Sequence, residues 1–262
     1  MSKVLKLYNK IEQIYLDEIK KIYKNEIKRY SNELYKQMLA LSREIIKIMD
    51  EKHGINTSIP RLMRSLIEEI IDLINLAKYG KEYLIRLKLM HYSKLYSFYR
   101  YHNYNDKNEK TIVMKLKKIQ EEEDKLVQYC KDKELNNDIV KAKKFSEIRQ
   151  CLTVSKKIEL LTKIEKNDFL EKYKEYYYIM SFYTHTSIIF IDDFKNKLDK
   201  TSYKELITTI LMEGLENLAL ITQTDITEHE QYKNLKNIEK KIKKKIKEKN
   251  EWDKIISKFI QD

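Results

Sequence analysis

Glycine and proline are nearly missing from this chain, with three Gly and one Pro in 262 residues. Average usage would supply roughly 18 and 13. Tight turns and hairpins rely on these residues for a positive φ or a rigid corner. A chain so short of them must spend its length in helices, and the expected fold is all-α, a multi-helix bundle. The same scarcity removes the glycine-rich loops of the Walker A and dinucleotide-binding motifs. Cysteine is scarce as well: Cys130 and Cys151 make neither a disulfide framework nor a paired metal motif, which points to a reduced, cytoplasmic setting. No fully apolar stretch approaches a membrane span, Ile188-Ile189-Phe190-Ile191 being among the longest. Residues 1–15 mix charges into their apolar positions, unlike a signal peptide.

Charge is what the chain has in quantity. Lys and Arg total 53 against 41 Asp and Glu, a formal net charge of +12. Only seven of the 53 are Arg, the better reader of phosphates and bases. A basic surface follows from this balance, without naming a partner.

Apolar spacing divides the chain into three parts. Tyr8, Ile11, Tyr15, Ile19, Ile22, Ile27, Tyr30, Leu34, Met38, Leu41 and Ile45 recur at intervals of mostly three or four, predicting a long N-terminal helix from about Lys3 to Lys52. Residues 1–53 are therefore expected as one element about 75 Å long. It is either a bundle helix kinked near Ser31-Asn32 or an arm that pairs two copies as a homodimer. Residues 54–225 read as the helical core domain. Gly54 and Pro60 mark the linker into its first helix, which Gly80 ends. Further helices are expected over Lys81–Tyr101, Glu109–Asp132 and 139–165. Others follow after Asn167-Asp168 and from a capping box of Ser202 and Glu205 to about Thr222. Residues 226–262 read as a basic C-terminal helix. Between Lys233 and Lys249 nine lysines face two glutamates, with a thin apolar stripe of Leu235, Ile238, Ile242 and Ile246.

Three constellations could carry chemistry. Arg64, Glu68 and Asp72 fall at i, i+4 and i+8, one face of an otherwise apolar helix. That face is either an ion-pair network that locks packing or a polar pocket. Tyr178, Ser181 and His185 fall at i, i+3 and i+7, where a histidine beside hydroxyls could move protons or be a hydrogen-bonded core residue. The tail lysines Lys240, Lys241, Lys243, Lys244, Lys245 and Lys247 could contact nucleic-acid phosphates, lie on anionic lipid or be simply solvated. Near Tyr92, Tyr96, Phe98, Tyr99 and Tyr101, aromatic and basic residues interleave. Such a pattern suits base stacking, but the i, i+4, i+7 spacing of Tyr92, Tyr96 and Tyr99 favours a core-facing stripe. Neither Glu228-His229-Glu230 nor Asp50-x-x-His53 has metal-ligand spacing, and no cofactor is expected.

Arg64-Ser65-Leu66-Ile67-Glu68 and Tyr178-x-x-Ser181 followed by His185-x-Ser187 resemble a bacterial helical family catalogued as domain of unknown function 5677. The resemblance covers about residues 55–190. It implies an α-helical domain in which Arg64, Glu68 and His185 could converge, and an accessory role near phage-defence or mobile-element genes. Its partner would be a protein or a nucleic acid such as RNA. Separately, Arg86 followed after four residues by His91 is similar to the signature of HEPN ribonucleases. That similarity implies a metal-independent endoribonuclease in which the pair activates the ribose 2′-OH and steadies the scissile phosphate. Leu87 departs from the pattern, which prefers a polar residue after the arginine.

Overall fold

In the computed structural model the described residues are 3–50, 58–103, 109–133, 139, 153–162, 173–174, 176–178, 180–181 and 200–248. Among them every regular element is helical. Helices α1 (Lys3–Ile14), α2 (Glu26–Asp50), α3 (Ser58–Tyr79), α4 (Lys81–Asn103), α5 (Glu109–Asp132), α6 (Val154–Thr162), α7 (Lys200–Thr222) and α8 (Glu230–Glu248) follow in order, with a π-helical turn at Tyr15–Ile19. The chain divides into two compact units. One joins Met1–Ala77 to Glu175–Asp262, and the other is Lys78–Lys174.

The first unit corrects the expected N-terminal rod. After α1 the backbone widens into the π turn, closed by Lys20 N–H donating to Tyr15 C=O at 2.8 Å. Lys20 then takes extended dihedrals. Asn25 restarts the chain as an N-cap, its Oδ1 accepting from Lys28 N–H at 3.1 Å. The break therefore lies at 20–25, and Ser31 and Asn32, the expected kink, are buried within α2. Helices α1 and α2 pack as an antiparallel hairpin. Tyr8 Oη donates to Leu39 C=O at 3.1 Å, Tyr15 Oη donates to Asn32 Oδ1 at 2.8 Å, and Arg43 grips both Glu12 carboxylate oxygens. Tyr8, Ile11, Ile14, Tyr15 and Ile19 are buried where α1 and the π turn pack on α2, α7 and α8. Much of the stripe expected to meet a second copy is covered within the chain, while Ile22, at the break, is fully exposed.

Helix α7 lies against α2, far away in sequence. Tyr35 Oη donates to Leu211 C=O at 3.1 Å across 176 positions. Gly214 permits the approach, since a Cβ there would stand 2.7 Å from Met38 Cε and 3.0 Å from the Tyr35 ring. Lys28 Nζ reaches the last turn of α7, donating to Thr222 C=O at 3.1 Å. That turn ends with Gln223 at φ 59°, Thr224 N–H returning to Ala219 C=O and Gln223 N–H to Leu220 C=O. This is a Schellman closure made without glycine. Helix α8 then doubles back along α7, with Tyr232 Oη and Lys236 Nζ both on the Glu216 carboxylate and Leu235 buried.

The second unit centres on a hairpin of α4 and α5. Lys81 Nζ sits 4.8 Å over the Tyr129 ring at one end, and Lys115 Nζ sits 5.0 Å over Tyr99 at the other. The two helices are therefore antiparallel. Ile85, Leu89, Cys130 and Ile139 are buried together beneath Met90, Leu126, Val127 and Tyr129. Gly80, at φ 51°, separates α3 from α4 as its sequence position predicts. The turn formers Asn136-Asn137-Asp138, Cys151 and the Ser202 side chain lie outside the described residues.

Candidate functional site: a helix-borne arginine and two basic surfaces

Helix α3 is apolar on most of its surface, with Ile59, Met63, Leu66, Ile67, Ile70, Ile71 and Leu73 buried. Arg64 and Glu68 occupy the remaining stripe, one turn apart, with both side chains 30% exposed. Arg64 Nε lies 3.2 Å from Glu68 Oε1, and its Nη2 donates to Tyr177 Oη at 2.9 Å. The guanidinium carbon also stands 5.1 Å from the centroid of the same ring. Burial, and secondarily Glu68, push the Tyr177 phenol above its ordinary range, while the charge and hydrogen bond of Arg64 draw it back. The result is a protonated phenol and a guanidinium held in fixed orientation. Such a pair can hold a charge in place, but it offers no nucleophile.

Asp72 is the third member of the stripe. It is buried and acts on Tyr30 of α2, whose phenol is pushed up by burial, then by Asp72 and Glu69. Tyr178 is 48% exposed, its ring edge-on to Tyr177 at 6.0 Å. The helical phase thus selects Tyr177 rather than Tyr178 as the partner of Arg64. Ser181 lies beside Tyr177, and His185 lies outside the described residues. Arg64 and Glu68 are brought together against Tyr177, with Ser181 beside it, while Asp72 acts on Tyr30 and Tyr178 packs on Tyr177.

In the second unit, Arg86 and His91 diverge. Arg86 is 6% exposed and close enough to Tyr79 to lower its phenol against the larger effects of burial and Glu82. Five positions along, about 140° around the helix, His91 faces solvent beside the Tyr92 ring at 5.9 Å. The two side chains thus sit in different environments, one buried and one exposed. His91 instead begins an exposed stripe with Lys94, Phe98 and Tyr101, spaced by three, four and three. Phe98 and Tyr101 are 55% and 69% exposed, and Tyr92, Tyr96 and Tyr99 are half-buried. The i, i+3 spacing of Phe98 and Tyr101 was the available signal, obscured by the tyrosines around them.

Along α8, Lys240 is exposed. The backbone continues as helix to Glu248, while the side chains of Lys241, Lys243, Lys244, Lys245 and Lys247 lie outside the described residues. Among the described residues no group of His, Cys, Asp and Glu could hold a metal ion. None of the described helices is long and apolar enough to cross a membrane.

No curated protein and no solved structure matches the chain significantly. A family profile described as a family of unknown function (DUF5677) matches residues 28–203, about two thirds of the chain. The match begins further upstream than the motifs around Arg64 and Tyr178 imply, inside α2, and includes Arg64, Glu68, Tyr177, Arg86 and His91. Over that span the chain belongs to the DUF5677 family.

Proposed function

We propose that this is a non-catalytic, RNA-binding accessory protein that holds phosphate backbones through the lysines of α8. A cytoplasmic phage-defence or mobile-element system is the setting that its resemblance to the family implies. The observation carrying the reading is how α8 is mounted. Its first turns are fastened to α7 by Tyr232, Lys236 and buried Leu235. The helix then runs on to Glu248, through a stretch where Lys240, Lys244 and Lys247 share one face by spacing. A lysine row on an anchored helix gives up little conformational freedom when it meets a polyanion. Lysine rather than arginine suits sequence-independent contact with phosphates.

The Arg86–His91 nuclease reading has less support, because the two side chains occupy different environments. A homodimer through the N-terminal segment likewise has less support, because most of the α1 part of its apolar stripe is already buried.

The test is fluorescence anisotropy with labelled RNA across a salt series. Binding should weaken steeply with salt, each phosphate neutralised on a single strand adding about 0.7 to the slope. Replacing Lys240, Lys244 and Lys247 by Glu should flatten that slope by about 2. Unchanged binding in this triple variant would remove α8 from the interface. RNA cleavage in EDTA that disappears in His91→Ala would replace the binding reading by the ribonuclease one.

A further inference from the structure

We infer that the end of the α4–α5 hairpin where α4 finishes and α5 begins is a second nucleic-acid surface, one that stacks the bases of a single strand. The inference rests on nucleic acid being the protein's ligand, as proposed above, but uses different residues in the other unit.

The stripe of His91, Lys94, Phe98 and Tyr101 sets two polar or cationic groups before two exposed rings. Phe98 and Tyr101 are among the most exposed large apolar side chains of the described residues, and each lies one helical turn from a cation or another ring. Around them Lys94, Arg100, Lys115, Lys117 and Lys118 are all exposed. The antiparallel packing brings the two helices' contributions to the same end, as Lys115 over Tyr99 demonstrates. From Arg86 to Tyr101 on α4, and from Thr111 to Gln120 on α5, there is no Asp or Glu. Asp106 and Glu109 fall between these two stretches, and Glu121 to Asp124 follow further along α5. Lys94, Arg100, Lys107, Lys110, Lys115, Lys117 and Lys118 thus outnumber Asp106 and Glu109 in the sequence around the exposed rings.

This combination selects the occupant. A second copy applied to the same face would set lysine against lysine, which an isologous contact cannot avoid. An apolar protein surface would offer the five cations no counter-charge. A duplex offers phosphates but keeps its bases stacked inside. A single strand offers both, phosphates for the cations and unstacked base faces for the rings, and such stacking tolerates any sequence. The half-buried Tyr92, Tyr96 and Tyr99 beneath give the exposed rings a firm base. Tyr99 in particular is fixed between Phe98, edge-on at 5.5 Å, and Lys115.

The experiment titrates the full chain against labelled oligouridylate, oligothymidylate of equal length and a duplex, and against anionic phosphatidylserine vesicles. The Phe98→Ala/Tyr101→Ala variant should bind both single strands roughly tenfold or more weakly than the wild type while keeping its duplex affinity. Phe98→Tyr/Tyr101→Phe, which retains both rings, should bind like the wild type. Helical circular dichroism and an unchanged Tm exclude unfolding as the cause. A preference for oligouridylate over oligothymidylate would assign RNA, and equal binding would assign single strands of either kind.

Equal single-strand affinity in wild type and double-alanine variant would overturn the inference. So would an equal loss on the duplex, or a loss confined to vesicles. The α8 glutamate variant separates the two ideas. If it alone loses binding, this surface falls and the α8 reading stands; if only the double-alanine variant loses single strands, the reverse holds.

Discussion

Tyr8, Tyr15 and Tyr35 place three phenols within the first unit, each donating to a buried oxygen: Leu39 C=O, Asn32 Oδ1 and Leu211 C=O. Removing a proton from any of them would put a phenolate where the acceptor already carries negative density and water is excluded. All three are held above their ordinary range chiefly by burial. Tyr8 is pushed up to about 12, with Glu12 adding to burial and Arg43 opposing it. The sign of the stability effect follows from proton counts. Below pH 10.0, the free phenol's value, both folded and unfolded chains are protonated and these groups add no pH dependence. Between there and about 12 the unfolded chain loses the Tyr8 proton and the folded chain keeps it, so stability falls as pH rises. Urea midpoints should therefore be flat on the tyrosines' account up to about pH 10 and decline above it. Tyr8→Phe should cost about 1 kcal/mol at neutral pH through the missing hydrogen bond, yet show a shallower alkaline decline. Parallel declines in variant and wild type would mean that Tyr8 ionises as freely in the fold as in the unfolded chain.

Between elements, close approach matters more than any single bond. Glycine in the middle of a helix is unfavourable by about 1 kcal/mol relative to alanine, so Gly214→Ala would stabilise an isolated α7. In the fold the added methyl would meet Met38 Cε at 2.7 Å and Tyr35 Cε2 at 3.0 Å. The methionine end can swing away; the tyrosine ring, buried and tied to Leu211, cannot. Overpacking costs of about 1–3 kcal/mol should outweigh the helix gain, and chemical denaturation should find Gly214→Ala less stable by about 1 kcal/mol. Greater stability would show that α2 and α7 have room to separate. The same packing explains what composition could and could not convey. Gly80 and Pro60 mark their helix boundaries because their backbones enforce them, and Glu109–Asp132 matches its periodicity. The break at 20–25 contains neither residue. Lys20 to Lys24 would continue a helix by propensity, and it is the pull of Asn32, Leu39 and Glu12–Arg43 across the hairpin that folds α1 back. Asn25 was the one local clue, an N-cap amid helix formers. Arg64 and Glu68 were legible from their spacing. Tyr177 was not, because three adjacent tyrosines look alike until helical phase and a partner 113 positions away choose one.

Over the whole molecule, the two units differ in how the chain closes them. The first joins segments from both halves of the sequence, and its α2–α7 contact spans 176 positions. The second is contiguous, Lys78–Lys174. The side chains packed around Cys130 (Ile85, Leu89, Met90, Leu126, Val127, Tyr129 and Ile139) all come from within it. A unit that buries its apolar surface with its own residues meets the requirement for folding alone. Cys130 supplies the probe, since a buried thiol reacts only when its surroundings open. With Cys151→Ser removing the second thiol, a fragment of residues 78–174 should shield Cys130 from a thiol reagent nearly as well as the full chain does. Labelling should become fast only in denaturant. A fragment whose Cys130 reacts at the unfolded rate in buffer would show that the second unit depends on the rest of the chain. The aromatic–cationic end of α4–α5 could then not be a self-contained platform, and single-strand binding by the same fragment should vanish with the protection. If protection and binding persist together, the base-stacking surface belongs to a unit that carries its own fold, and the lysines of α8 add phosphate contacts from a separately closed part of the chain.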